Sequence, residues 1–114
     1  MPFISSKVNV EVSKEKEIIL KEKLGKAIET IPGKSEAYLM LEIQDNCKLY
    51  FRGDNSTGIA YVEVKILGAE NPAAFDKMTG VICNIFEEVL NIAPDNVYVK
   101  YEAVSNWGYN GHNF

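Results

Sequence analysis

Apolar residues in the first part of the chain form a strand-like pattern and then a helix-like one. Residues 3–10 place apolar side chains among short polar ones without a helical period, which predicts a strand. Ser13 is a suitable cap for the segment that follows, and a Pro-Gly pair at 32–33 ends it. The apolar residues between them are spaced as on one face of an amphipathic helix: Leu20, Leu24, Ala27, Ile28 and Ile31.

A dense apolar run and a polar stretch occupy the middle of the chain. Residues 38–43 are of strand length and almost wholly apolar, which predicts a second strand beginning at Tyr38. A short apolar segment follows at 49–51. Residues 52–58 are rich in Gly, Asp, Asn and Ser, which predicts a loop.

The second half of the chain repeats the order of the first. Residues 59–67 form a β-branched strand pattern, and Asn71-Pro72 supplies a cap and a first-turn proline for a second helix. Residues 97–101 predict the last strand, before an aromatic, turn-rich tail. The second helix carries a wide apolar stripe: Phe75, Met78, Ile82, Ile85, Phe86, Val89 and Leu90.

This order predicts an α+β fold in a single domain of residues 1–114. Two tandem β-α-β units would form one four-stranded mixed sheet with both helices on one face. The strands also carry further apolar residues, such as Met40 and Ile66, which predict that the other sheet face is apolar too. Because two helices cannot cover both faces, we expect a homo-oligomer whose sheets face each other.

Composition is that of an ordinary globular protein, with 46% hydrophobic and 25% charged residues. The net charge of −4 argues against nucleic-acid partners. The sequence lacks both a signal-peptide pattern and a membrane-length apolar run, so we expect a soluble protein made in the cytosol, without a membrane partner. Cys47 and Cys83 are too few and too far apart to indicate a metal cluster or a disulfide framework.

Pro2 carries the most informative chemistry in the chain. If Met1 is removed, position 2 becomes a secondary amine, and α-amino groups already titrate at about 7.7 to 8.0. Burial or a nearby cation lowers the pKa of an amine further, which leaves a neutral base able to take a proton from carbon. On position alone, a structural role is favoured, because the missing N–H of a proline costs little at the start of a strand.

Several short motifs occur in an order that resembles one known family. The chain is similar throughout its length to the macrophage migration inhibitory factor family of the tautomerase superfamily. The resemblance implies a homotrimer with a central barrel of three sheets, cofactor-independent active sites at the subunit boundaries, and keto–enol tautomerisation of phenylpyruvate-like or dopachrome-like compounds. The motifs are Met1-Pro2, Gly33-Lys34, Phe51-x-Gly53, Ile66, Pro94-Asp95-x-Val97-Tyr98 and Gly108-Tyr109-Asn110-x-x-x-Phe114.

The resemblance also implies roles for individual residues. Pro2 matches the catalytic base, and Lys34 matches the lysine that holds the substrate carboxylate. Ile66 matches an isoleucine whose backbone N–H assists, and Tyr98 matches a tyrosine supplied by the neighbouring subunit. Two further residues match pocket positions: Tyr38 and Tyr109. For Lys34 taken alone, a solvated lysine past a helix end is the favoured explanation, but beside Pro2 and this fold the binding role is favoured. For Tyr38 and Tyr101 core packing is an alternative.

Some positions differ from the family pattern. Lys65 and Lys100 stand where a serine and an asparagine are common, so we expect two extra cations near the pocket mouth to affect which anionic substrates bind. Trp107 replaces a smaller residue and is predicted to narrow the entrance. The C-x-x-C motif of some members is absent, since Gly58 and Tyr61 occupy those places.

Two other functions are compatible with the same sequence. One is a cytokine-like signalling protein, secreted without a signal peptide, which would bind a cell-surface receptor. The other is a trimer that binds small molecules without turnover. Residues 52–54 spell the integrin-binding tripeptide Arg-Gly-Asp, and residues 55–57 spell a glycosylation acceptor, but both motifs are short enough to occur by chance.

Overall fold

The computed structural model describes residues 1–114 as two helices and six strands, with short 3-10 turns and loops between them. The tandem β-α-β prediction is confirmed, since each helix connects a pair of parallel strands. No helix combines the length and apolar character needed to cross a membrane. The elements in chain order are β1 (Pro2–Val8), α1 (Lys14–Ala27), β2 (Met40–Gln44), β3 (Ala60–Leu67), α2 (Pro72–Leu90), β4 (Val97–Val104), β5 (Gly108–Tyr109) and β6 (His112–Asn113).

The sheet is mixed, with strand order β2-β1-β3-β4. The two outer pairs are parallel, and β1 and β3 are antiparallel at the centre. One row of directly opposed residues crosses all four strands: Leu41, Ile4, Val64 and Tyr101. The two β-α-β units are therefore joined along their first strands.

Both helices start at caps that the sequence supplies. The Ser13 side chain accepts a hydrogen bond from the Lys16 N–H, and Asn71 accepts one from the Ala74 N–H. These bonds satisfy amides that have no partner inside the helix. Pro72 occupies the first turn of α2, and Asn91 ends that helix with a φ of 57°.

A single apolar core lies between the helices and one face of the sheet. Side chains alternate along a strand, so every second residue of β1 and β3 reaches the helices. The fully buried members confirm the predicted helix stripes and strand alternation. They include Ile4, Val8, Val62 and Val64 of the sheet, Leu20 and Leu24 of α1, and Met78, Ile82 and Phe86 of α2.

The prediction that the other sheet face is apolar is wrong. Ile66 has the same alternation as Val62 and Val64, so its side chain lies in the core. The residues that face away from the helices are mostly charged or polar. The two central rows of this open face are Met40, Phe3, Lys65 and Glu102, and beside them Glu42, Ser5, Glu63 and Lys100.

The prediction that Tyr38 begins a strand is also wrong. Tyr38 lies in a 3-10 turn, Glu36–Tyr38, and β2 starts at Met40. Ser35 caps this turn by accepting a hydrogen bond from the Ala37 N–H. The capped turn directs the Tyr38 side chain outward, so the core-packing alternative does not hold for it: 58% of the residue is exposed. Tyr101, by contrast, stacks on Phe75 at a centroid distance of 4.5 Å, as core packing predicts.

Candidate active site

A pocket of about 500 Å³ lies at the start of β1, where three segments of the chain meet. Strand β1 contributes its first residues, the 3-10 turn before β2 contributes Tyr38, and the C-terminal tail contributes Trp107. Its lining is mainly apolar and aromatic. The residues are Met1, Pro2, Phe3, Ala37, Tyr38, Leu39, Met40, Trp107, Gly108 and Tyr109.

The aromatic wall of this pocket is held by contacts between the tail and the turn. The rings of Tyr38 and Tyr109 meet edge to face, with centroids 5.8 Å apart. Tyr109 also stacks on Phe114 at 6.1 Å, and the Phe114 N–H donates to the Trp107 carbonyl oxygen over 3.1 Å. The short β5-β6 hairpin thus fixes the tail against the pocket. The resulting aromatic wall is suited to packing against a flat aromatic ligand.

Pro2 is buried at one side of the pocket, and the residue before it is anchored to β3. The Leu67 N–H donates to the carbonyl oxygen of Met1 over 3.1 Å. Ile66 lies directly opposite Pro2 in the antiparallel register. Because hydrogen bonding alternates along an antiparallel pair, the amide of Ile66 points to β4, and the amide beside the N-terminal residue belongs to Leu67.

Lys34 is placed next to the same residues. Its Nζ atom donates to the Leu67 carbonyl oxygen over 2.7 Å. Burial and the charge of Lys34 together lower the pKa of the Met1 α-amino group from its ordinary value of 8.0. The surroundings of the N-terminus, one residue before Pro2, therefore disfavour a protonated amine.

The two extra lysines, predicted as added cations near the pocket mouth, each lie beside a glutamate. Lys65 lies 3.8 Å from a carboxylate oxygen of Glu63, and Lys100 lies 3.3 Å from one of Glu102. A hydrogen bond and the charge of Glu102 raise the pKa of Lys100, which stays protonated and paired. Both lysines belong to the open face, with charges balanced by these two glutamates.

Tyr98 and Lys100 lie far from Pro2 within one chain. Ala103 is the residue of β4 opposite Ile66, and Tyr98 lies five positions before it in the strand, about 16 Å away. Its ring is largely exposed and meets only the ring of Phe51 among aromatic side chains. The fold brings Pro2, Tyr38, Trp107 and Tyr109 together, with Lys34 beside the N-terminus, and leaves Tyr98 outside that group.

Sequence reasoning missed four contributors to the site. Phe3 and Met40 line the pocket as a directly opposed pair, which depends on a strand register that the sequence does not encode locally. Phe114 was visible as a motif residue, but its stacking on Tyr109 depends on the β5-β6 hairpin. The amide of Leu67 leaves no sequence signal, since any residue carries a backbone N–H.

The arrangement can perform proton transfer on a bound anion. It offers an N-terminal amine whose environment favours the neutral form, an ammonium group at Lys34, a backbone donor at Leu67 and an aromatic wall. No three His, Cys, Asp or Glu side chains cluster as metal ligands would.

Two tandem β-α-β units with a pocket around a proline at position 2 define a protein of the tautomerase superfamily. The chain belongs to the macrophage migration inhibitory factor family, whose model matches residues 1–114. The resemblance seen in the sequence motifs is thereby confirmed.

Solved structures agree with this assignment. MIF2 from Leishmania major is 29% identical with a TM-score of 0.91, and the match covers 100% of this chain and 97% of that one. A macrophage migration inhibitory factor homologue from Prochlorococcus marinus is also 29% identical, with a TM-score of 0.82 and 98% of each chain covered. The factor-like protein of Entamoeba histolytica, at 17% identity, a TM-score of 0.88 and coverage of 99% and 98%, shares the fold. No curated protein sequence matches the chain significantly.

Proposed function

We propose that this protein is a cofactor-independent keto–enol tautomerase in which Pro2, once Met1 is removed, is the general base. The observation that carries the proposal is the placing of Pro2 in an aromatic pocket with the Lys34 ammonium beside the N-terminus. A base near neutrality, an anion-binding cation and an aromatic wall are what tautomerisation of an aromatic α-keto acid needs.

Loss of Met1 would change the site in two ways. It converts the Pro2 nitrogen from an amide, which is not basic, into a secondary amine. It also removes the Met1 carbonyl oxygen, so the Leu67 N–H loses its acceptor beside the Lys34 ammonium. A substrate carboxylate placed there would receive one hydrogen bond from Leu67 and the charge of Lys34.

The reaction would then be a transfer of protons about the keto group. The neutral Pro2 amine takes a proton from the carbon next to the carbonyl, the double bond moves, and the carbonyl oxygen takes a proton from solvent to give the enol. The protonated Pro2 amine then releases its proton to solvent. The carboxylate held at Lys34 orients the substrate for this step. A donor near the carbonyl oxygen stabilises the charge that develops there, and Tyr98 of a neighbouring copy is our candidate.

Assembly as a homotrimer is part of this proposal. Within one chain Tyr98 lies at the opposite end of the sheet from Pro2, so it reaches a Pro2 pocket only from another copy. A large exposed tyrosine, with 62% of the residue accessible, is suited to completing a neighbour's pocket. The substrate class we assign is a small aromatic α-keto acid such as phenylpyruvate.

The test is turnover of phenylpyruvate, followed by enol absorbance, after mass spectrometry has established that Met1 is absent. We expect Pro2→Gly to lower kcat/KM about 100-fold or more, because it replaces the proposed base. A matched control keeps Pro2 but carries one additional residue before it, so that only the basicity of the nitrogen is lost. Wild-type turnover in either protein would overturn the proposal.

A further inference from the structure

Tyr98 has an exposed ring that packs against one other aromatic ring. Its ring meets the Phe51 ring edge to face, with centroids 5.0 Å apart and planes at 75°. A cavity of about 150 Å³ lies beside both rings and is almost wholly apolar. Beside a cavity of this size the packing around the two rings is loose, so either ring could tilt if nothing held Phe51 in place.

Arg52 also contacts the Phe51 ring. The guanidinium carbon lies 4.2 Å from the centroid of the Phe51 ring, a cation–π contact. The Arg52 Nη2 atom also donates to Asn96 Oδ1 over 3.2 Å, and Asn96 lies two residues before Tyr98. Asn96 in turn donates to the side chain of Thr57 and to the Gly58 carbonyl, each over 2.9 Å.

The backbone at Arg52 is in a conformation that favours glycine. Arg52 has a φ of 54° and Gly53 a φ of 75°, within a tight turn that two hydrogen bonds between Phe51 and Asp54 close. A left-handed conformation is strained for a residue with a Cβ atom. The contribution of Arg52 must therefore come from its side chain, since its backbone would be relaxed by glycine.

The same contacts involve the charged side chains of the Arg-Gly-Asp tripeptide at residues 52–54. The Arg52 side chain is engaged by Phe51 and Asn96, and the Asp54 carboxylate accepts hydrogen bonds from the Ser56 N–H over 3.3 Å and from its hydroxyl over 2.7 Å. Both charged groups of the tripeptide are occupied within the chain. The motif forms a closed turn, and its arginine contacts Phe51, the ring that packs against Tyr98.

We propose that Arg52 is a positioning residue: by capping Phe51 and bonding Asn96, it fixes the Tyr98 ring that completes the active site of a neighbouring copy. This inference rests on the proposed function, which gives Tyr98 its place in that site. Arg52 is the only arginine in the chain, and its planar group supplies both the ring contact and the directed hydrogen bond. Substrate binding would thus depend on a residue that never touches substrate.

The test compares Arg52→Gly with Lys48→Ala, which removes the same charge from a nearby exposed residue that makes no hydrogen bond or ion pair. We expect Arg52→Gly to raise KM about three- to ten-fold with a smaller change in kcat, because the contact serves substrate binding. Thermal stability should stay the same or rise, since glycine relaxes the turn. Arg52→Lys, which keeps a cation over the ring, should restore part of the loss. Kinetics equal to those of Lys48→Ala would overturn the inference.

A double-mutant cycle separates this inference from the proposed function. If Arg52 acts through Tyr98, Arg52→Gly has no further effect on KM in the Tyr98→Ala background. An undiminished effect there overturns the inference, whereas wild-type kinetics in Tyr98→Ala alone overturn the role of Tyr98 in the proposed function. NMR of the tyrosine ring protons gives a readout independent of turnover: Arg52→Gly should shift the Tyr98 ring signals, and unchanged signals would refute the positioning role.

Discussion

At the scale of single residues, the site depends on what surrounds the nitrogen of Pro2. The sequence alone could indicate Pro2 and Lys34 as candidate site residues. A proline after Met1 and a lysine after a helix can both be recognised without a structure. The sequence could not show that the Leu67 backbone links them, with its N–H on Met1 and its carbonyl on the Lys34 ammonium. Backbone groups acquire such roles only through strand register, which long-range pairing determines.

The charge of Lys34 should be visible in the pH dependence of the proposed turnover. A base acts when neutral, so kcat/KM should rise with pH through the pKa of the Pro2 amine. Burial and Lys34 lower the pKa of the Met1 α-amino group, and we expect the same surroundings to place the rise for Pro2 below pH 8.0. Lys34→Ala removes a positive charge that lowers the pKa of the N-terminal amine, so the rise should move to higher pH, and kcat/KM should fall because the carboxylate loses its cation.

The measurement is the pH profile of kcat/KM for wild-type protein, Lys34→Ala and Lys7→Ala. Lys7 is an exposed lysine at the far end of β1 from Pro2 and should leave the profile unchanged. A profile for Lys34→Ala with the same midpoint as the wild type would show that Lys34 does not tune the base.

At the scale of elements, the regular structure was predictable and the pocket walls were not. The two amphipathic helices and the four long strands follow from apolar spacing and from caps at Ser13 and Asn71. The 3-10 turn that carries Tyr38 and the β5-β6 hairpin are only two to three residues long, too short for a periodic signal. Local prediction therefore gave the scaffold, while the aromatic wall required the assembled fold.

The hairpin should contribute to substrate binding through Phe114. This residue is 61% exposed and stacks on Tyr109, which lines the pocket. We expect Phe114→Ala to raise KM for phenylpyruvate about three- to ten-fold with little loss of thermal stability, since an exposed ring buries little surface. Ile18→Ala, which shortens an exposed apolar side chain on α1, is the control and should change neither value. A reduced kcat with unchanged KM would contradict a binding role for the hairpin.

At the scale of the whole molecule, the open face of the sheet is the unexpected feature. Apolar spacing alone could not show that Ile66 would lie in the core, because a dense apolar strand leaves the orientation of its side chains open. Charge pairs between Lys65 and Glu63 and between Lys100 and Glu102 lie where the sequence predicted an apolar interface. If copies of the chain assemble through this face, charged groups will take part in the contact.

The proposed assembly has a definite mass. Sedimentation equilibrium should give about three times the 12.8 kDa of one chain, at micromolar concentration. Because partly exposed ion pairs are screened by salt, raising the salt concentration should change the dissociation constant of the trimer more than it would for an apolar interface. A monomer under the conditions in which turnover is measured would exclude a site shared between subunits.

The central claim is that the Pro2 amine is a base that is neutral near physiological pH. Its most direct test is a titration by ¹⁵N NMR of protein labelled at proline, from which Met1 has been removed. We predict that the Pro2 nitrogen titrates below 8.0, at the low end of or below the ordinary range of α-amino groups, because burial and Lys34 lower the pKa of the Met1 α-amino group, one residue before it. Its midpoint should coincide with the rise in kcat/KM. A midpoint at or above 8.0, or one unrelated to the activity profile, would contradict the account.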